Sequence, residues 1–435
     1  MFAQLYLDCK KAINSCRANE RKCLLFVPNA MINSKFVYPV NFNLTLMDSL
    51  LLLLCLSAIF FYCYAIYALV ALERQPQTLA PSFQPPVSIL KPICGLDGNA
   101  YANLASFCRQ DYPVYQIIFS IRDPQDSGIA QVLQIIHDFP KLDIQLVVST
   151  STIGTNLKVC NLANALAKAK YEILVLADSD IRVGEDYLQR VIEPLQDQSI
   201  GVVTCPYRSS AQGWVATLEA IGTATDFHLG VLVSRQLEGM KFALGSTIVI
   251  RKQVLEAIGS FQAIADYLGD DFQLGYLPAL AGYKVVLSNY VVEHGLATSK
   301  LGDSLQRQIR WARGTRVCRP WGYLGLVMTY GTVSSLLLLM TTGCSTLGVL
   351  VLVITWLARF TVGYLVGVGF LQDQNVRKFF FLMPLRDLIG FAIWCCGLVG
   401  DTIVWRGRRL KLTKGGKLLP LKPSLKQSRS KLQVE

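Results

Sequence analysis

EILVLADSD, residues 172–180, decides the fold. Ile173 to Ala177 form an unbroken apolar run, which reads as a strand buried on both faces. Such strands belong to parallel sheets covered by helices. The run ends in Asp178-Ser179-Asp180. In an open α/β sheet, ligands bind just beyond the carboxyl ends of the strands. Two carboxylates at i and i+2 in that position make a small hard-oxygen site suited to Mg²⁺ or Mn²⁺. Water and a diphosphate would complete the coordination, and the ion would neutralise charge on a leaving nucleoside diphosphate. The same three residues also occur as a solvated turn, and the apolar strand before them favours the site.

Outward from this element, short apolar strands alternate with helical stretches: VSIL at 87–90, QIIFSI at 116–121, IQLVV at 144–148, then an Ala/Lys-rich helix at 161–170 before EILVLAD. GVVTCPY and ALGSTIVI read as further strands. This alternation predicts an α/β domain with a mostly parallel, mixed sheet over 85–300.

Hydrophobic residues make up 52% of the 435 residues and charged residues 17%, and they are segregated. Residues 48–72 carry one charge, Asp48, and are long enough to cross a bilayer, so 47–73 is expected to be a transmembrane anchor. Three more apolar segments follow at 323–341, 344–371 and 384–404, the second with Arg359 near its centre. That segment reads either as one tilted span with a buried arginine or as a broken hairpin. Residues 1–46 read as an N-terminal extension, 301–322 as an interfacial segment, and 323–404 as a transmembrane or re-entrant region.

The net charge is +12, but no basic stripe interleaved with aromatics marks a nucleic-acid surface. The excess flanks the apolar segments, and the tail 405–435 holds ten Lys or Arg against one Glu. By the positive-inside rule, the tail and the α/β domain face the cytoplasm of a multi-pass protein. Both on one side requires an even number of crossings after residue 320, so one apolar segment either splits or lies in the interface. The thirteen cysteines form no CxxC pair and the three histidines are far apart, so the pattern points to free thiols rather than zinc.

Four clusters carry candidate chemistry. Lys91-Pro92, followed by Gly95 and Asp97, ends the first strand, and Asp123 ends the second. Asp123 suits the base or ribose of a nucleotide, or simply a turn before Pro124. Asp178 and Asp180 form the third cluster. Gly269-Asp270-Asp271 supplies a candidate general base in Asp271, although acids there equally cap a helix beginning at Phe272. In Arg307-Gln308-Ile309-Arg310-Trp311, Arg310 suits a diphosphate and Trp311 an acceptor pocket or the membrane interface. The same stretch also reads as an amphipathic interfacial helix with Arg313, Arg316 and Arg319 towards lipid phosphates. His228, before LGVLV, is either a packing residue or a substrate contact.

Together, VSILKPICGLDGN, SIRDPQD, DSD followed by IRV, GDDF, RQIRW and the late TIVWRGRRLKLTKGG resemble the ceramide glucosyltransferases and their bacterial relatives, over about 48–418. The resemblance implies an A-type glycosyltransferase nucleotide-binding domain, a UDP-sugar donor, a divalent metal and inversion at the anomeric carbon. It gives Lys91, Asp123, Asp178 and Arg310 to the nucleotide, and Asp178 and Asp180 to the metal. Asp271 becomes the base, Arg307, Arg310 and Trp311 the terminal catalytic motif, and His228 and Asp270 substrate contacts. The acceptor is expected to be a membrane lipid such as ceramide or, as in several bacterial relatives, a hopanoid. A processive polysaccharide synthase shares these motifs but needs a wider channel than three or four apolar segments provide. A non-catalytic membrane scaffold has no physical reason to keep the whole acidic set.

Overall fold

The computed structural model describes residues 44–74, 83–96, 98–296 and 300–421. Nearly all of the expected extension 1–46, Asp97, and the tail beyond 421 lie outside the described residues.

Thirteen strands run in chain order: β1 Val87–Ile93, β2 Tyr115–Ile121, β3 Asp143–Val148, β4 Ile173–Leu176, β5 Ile181–Arg182, β6 Ile200–Thr204, β7 Tyr207–Ala211, β8 Ile248–Arg251, β9 Lys284–Leu287, β10 Val292–Leu296, β11 Thr402–Trp405, β12 Arg408–Leu412 and β13 Leu418–Pro420. Seven form the central sheet in the order β3-β2-β1-β4-β8-β6-β9. β3, β2, β1 and β4 are mutually parallel, β8 is antiparallel to both neighbours, and β9 is parallel to β6. The sheet is therefore mixed and mostly parallel, as the apolar runs imply. Alternate residues enter two cores: Leu90, Ile118 and Leu174 on one face, Ile89, Phe119 and Val175 on the other.

Three differences from the sequence expectation have local causes. The helix before β4 spans Leu157–Leu166, earlier than 161–170, because the Asn156 side chain accepts from the N–H groups of Lys158 and Val159 and starts it there. GVVTCPY divides between β6 and β7 at Pro206, which has no N–H for a ladder. The last apolar helix ends at Leu398, not 404, since Gly400 at φ 78° turns the chain into β11.

A small second sheet, β5-β10-β7, sits beside the Asp178–Asp180 turn. A third, β11-β12-β13, returns to the α/β domain through Leu268 N–H to Gly416 carbonyl at 3.0 Å and Leu418 N–H to Asp266 carbonyl at 2.7 Å.

Helix Leu46–Glu73 begins at a capping box between Thr45 and Asp48. Its Ala58, Tyr62, Ala65 and Leu72 join the same core as Leu90 of the central sheet, which fixes the domain against the membrane segment. Helices Leu46–Glu73, Thr346–Phe370 and Gln374–Leu398 are long and apolar enough to cross a membrane, and Pro320–Thr329 with Gly331–Thr341 form a pair bent by 51°. Leu53, Phe60, Leu350 and Leu357 are exposed on these helices, an apolar surface that needs lipid cover. The protein is thus membrane-associated. Within the expected segment 344–371, Thr346–Phe370 is one continuous helical run, and its Arg359 is buried against Asp387, Asp226 and Thr225.

Candidate active site

Two acidic positions that are far apart in sequence meet, together with a lysine, at Gly245, in the turn before β8. A Cβ built on Gly245 would lie 3.2 Å from Asp271 Oδ2, 3.5 Å from Asp178 Oδ2 and 3.5 Å from Lys158 Nζ. Only a residue without a side chain leaves this space open. Lys158 holds the group together, with its ammonium 2.6 Å from Asp178 Oδ1 and 3.5 Å from Asp270 Oδ2. Burial disfavours its charge, but Asp178, Asp270 and Asp271 outweigh that and draw its pKa upward. Asp270 is buried and also accepts from the Asn156 amide at 3.2 Å.

Asp271 begins helix Asp270–Leu280 and accepts from the Phe272 N–H at 2.8 Å. Its carboxylate thus sits in the first turn of the helix, on the neighbouring N–H. Burial first, and then the Asp270 charge, raise its pKa to about 6. That is a range in which a carboxylate is a usable base near neutral pH.

Asp180 turns to His294 on β10, 3.3 Å away, because the β5–β10 ladder sets His294 opposite Ile181. Burial opposes the imidazolium, but Asp180 outweighs it and raises the His294 pKa. Asp180 Oδ1 and His294 Nδ1 are buried without a hydrogen-bond partner. Among the described residues, no three His, Cys, Asp or Glu side chains gather closely enough to hold a metal ion by themselves. The Asp178–Asp180 turn, with one unsatisfied carboxylate oxygen, fits a divalent ion that shares its shell with an outside oxygen ligand.

The remaining predicted residues fall into two groups. Lys91 is fully buried and donates to the Asp178 carbonyl at 2.8 Å, so it shapes the turn from beneath. Asp123 lies exposed at the carboxyl end of β2, two strands from β4, and accepts from the Gln125 N–H at 2.9 Å. No recorded contact joins it to the acidic group. Asp126, which the sequence reading passed over, holds the Gly95 N–H at 2.8 Å and sets the loop after β1.

His228 is buried, with Nδ1 at 2.8 Å from the Thr223 carbonyl and Nε2 at 3.2 Å from the Tyr207 N–H. These partners require a neutral ring, and burial lowers its pKa to about 4. Tyr207 in turn packs edge-on against His294 at 5.4 Å, so His228 reaches Asp180 through two aromatic neighbours.

Helix Leu301–Cys318 carries the Arg307–Trp311 motif. Arg307 forks onto buried Glu219 at 2.8 and 2.6 Å, an anchor between helices. Trp311 is 43% exposed, with the Arg307 guanidinium 6.0 Å from its ring. Arg310 stacks 5.2 Å over Trp405 and senses the charges of Asp270 and Asp271. Within the motif, only Arg310 has a link to the acidic group.

Lys158, His294, Glu219 and Gly245 were not singled out from the sequence. Lys158 offered one signal: a cation in the first turn of a helix opposes the helix dipole and needs a nearby anion.

A parallel-rich α/β sheet with an Asp-x-Asp turn at its carboxyl edge, joined to apolar helices, defines the class of A-type glycosyltransferases bound to membranes. The fold resembles that of the mannosyltransferase PcManGT from Pyrobaculum calidifontis in complex with GDP-Man and Mn²⁺. The TM-score is 0.53 at 18% identity, covering 81% of this chain and 98% of that one. Residues 50–418 match glycosyl transferase family 21, and the chain belongs to that family. It is 25% identical to ceramide glucosyltransferase 3 of Caenorhabditis elegans over 398 residues, 86% of this chain and 84% of that protein. It is 25% identical to ceramide glucosyltransferase 1 of the same organism over 374 residues, 84% and 78% of the two chains. The protein is a glycosyltransferase.

Proposed function

We propose that the protein transfers a hexose, glucose by analogy with its relatives, from a UDP-sugar to the hydroxyl of a membrane lipid such as ceramide, with inversion. The convergence of Asp178, Asp271 and Lys158 on Gly245, with Asp270 paired to Lys158, carries this reading. Asp271 takes the proton of the acceptor hydroxyl as its oxygen attacks the anomeric carbon. The bond to the diphosphate oxygen breaks on the opposite face, and UDP leaves. Asp178 and Asp180 would hold Mg²⁺ or Mn²⁺, which neutralises charge on the departing diphosphate. Lys158 keeps Asp178 aligned, and Arg310 faces the diphosphate. Asp123, exposed at the carboxyl end of β2, is assigned to the uridine.

The acceptor's apolar body stays in the bilayer. At the far end of the first membrane helix, Leu338 and Val351 pack with Leu51 and Cys55. Arg359, nearer the domain, bonds Asp226. The bent pair therefore crosses outward and Thr346–Phe370 returns. Helix Gln374–Leu398 is tied to the domain at both ends: Asp373 accepts from the Ser209 N–H, and Arg313 donates to the Val399 carbonyl. It lies along the near surface, which gives the even count after residue 320 and three crossings in all. By the positive-inside rule, the flanking arginines support a domain on the cytoplasmic side. In sealed vesicles an impermeant thiol reagent should reach Cys344 from the face opposite the domain, and Cys395 and Cys396 never from that face. Labelling of Cys395 from the opposite face would refute this topology.

Incubating membranes that carry the protein with several labelled UDP-sugars, and weighing the organic-extractable product, tests the reaction. One hexose added to a ceramide is expected. A long polymer, or no transfer to lipid, would overturn the reading.

A further inference from the structure

The turn Arg406-Gly407 between β11 and β12 runs against local preference. Both residues have positive φ, 47° and 73°, the paired left-handed conformation of a two-residue hairpin turn. Glycine and asparagine adopt it at little cost, whereas a long side chain at the first position is strained. A residue held in such a conformation invites a functional explanation. Here the strained residue is also a cation in a specific place.

Arg406 is exposed, and its Nη1 donates at 3.0 Å to the carbonyl of Cys94, in the loop just past β1. That contact uses one of the five N–H groups of a guanidinium. Two residues on, Arg408 donates at 3.3 Å to the Thr155 carbonyl, just before the helix that bears Lys158. On the other side of the turn, Trp405 supports Arg310. The hairpin thus spans the carboxyl edge of the sheet from the β1 loop to Arg310. Burial, and then the charges of Arg307 and Arg406, lower the Arg310 pKa to about 10. Two like charges beside one site cost energy unless an anion lies between them.

We infer that Arg406 is a donor-binding residue: with Arg310 it clamps the anionic diphosphate of the nucleotide sugar from a hairpin outside the α/β domain. This rests on the donor reading above. It makes the segment after the last apolar helix a wall of the active site, so the site is completed only after the chain has returned from the membrane. The bidentate geometry of guanidinium on phosphate suits the role.

The test uses the full chain in phosphatidylcholine nanodiscs, with and without phosphatidylserine, titrated with UDP in the presence of Mn²⁺. Arg406→Asn suits the turn and removes only the cation, and Arg409→Gln removes an exposed charge from the same hairpin as a control. Arg406→Asn should weaken UDP binding about 10- to 100-fold in both lipid compositions. Arg409→Gln should bind as the wild type does, and the KM for the lipid acceptor should not move in either variant. If Arg406→Asn binds UDP as the wild type does and only the response to phosphatidylserine changes, Arg406 serves the membrane surface and the inference is overturned. If the wild type itself binds no UDP, the donor reading fails and the inference falls with it.

Discussion

Two ionic groups, one among the apolar helices and one at the carboxyl edge of the sheet, differ in their balance. Towards the membrane, Arg359 and Arg386 face Asp226 and Asp387, two cations for two anions. The Thr332 hydroxyl also donates to Asp387, and the Thr225 carbonyl accepts from Arg359. Towards the sheet edge, Asp178, Asp180, Asp270 and Asp271 share Lys158 and His294. Those four acids have two cations in direct ion pairs, with Lys91 and Arg310 adding charge at longer range, and Asp180 Oδ1 has no hydrogen-bond partner. A buried charge must be paired to be tolerated. The balanced group has one cation for each anion, although Arg386 Nε lacks a hydrogen-bond partner, and it ties the apolar helices to the turn before His228. The unbalanced group has fewer ion-paired cations than acids and an open carboxylate oxygen, which suits the binding of a cation.

Mutations should therefore have opposite signatures in the two groups. The largest effect is expected for Asp271→Asn, which removes the proton acceptor and should lower kcat by about 10²- to 10⁴-fold. Because it also relieves repulsion from Asp270, thermal unfolding should show a protein at least as stable as the wild type. A variant that transfers sugar at the normal rate would remove Asp271 from the mechanism. Arg359→Met should act the other way. It leaves Asp387 buried and unpaired and should cost about 3–5 kcal/mol of stability, read as a lower melting temperature in detergent. The surviving folded fraction should retain its KM for the donor.

Lys158→Met deepens the imbalance. A loss of about 1–3 kcal/mol is expected in chelator, much of it regained on adding Mn²⁺. Equal losses with and without the ion would mean that Lys158 is only a structural partner. The mildest test is pH. With the Asp271 pKa near 6, the base is charged above that value and protonated below it. At saturating metal, kcat/KM should be flat above about pH 6 and fall about tenfold per unit below it. That limb should be absent from Asp271→Asn.

Most of the sheet was legible because buried parallel strands are written as apolar runs, and the Asp178–Asp180 turn follows directly from one of them. What the sequence hid were partners. Glu219 is one acid in an otherwise apolar helix, and nothing in RQIRW says that Arg307 would fork onto it and leave Arg310 to face the acids. His294 reaches Asp180 only because β10 pairs with β5 across more than a hundred residues. Local pattern sets the elements, but the pairing of distant side chains depends on sheet order and register. An even number of crossings after residue 320 is what charge alone leads one to expect. Hydropathy does not report that Asp373 accepts from the Ser209 N–H and that Arg313 donates to the Val399 carbonyl, the contacts on which the proposed interfacial placement of Gln374–Leu398 rests.

The central claim is that the unbalanced group takes a divalent cation together with a nucleoside diphosphate. Calorimetric titration of the intact protein with UDP, in Mn²⁺ and in chelator, measures this directly for the wild type and for the Asp178→Asn/Asp180→Asn double variant. UDP affinity should drop at least ~10-fold without the ion, and the double variant should show no dependence on it. UDP binding of equal strength in chelator, or an unchanged ion dependence in the double variant, would contradict the account.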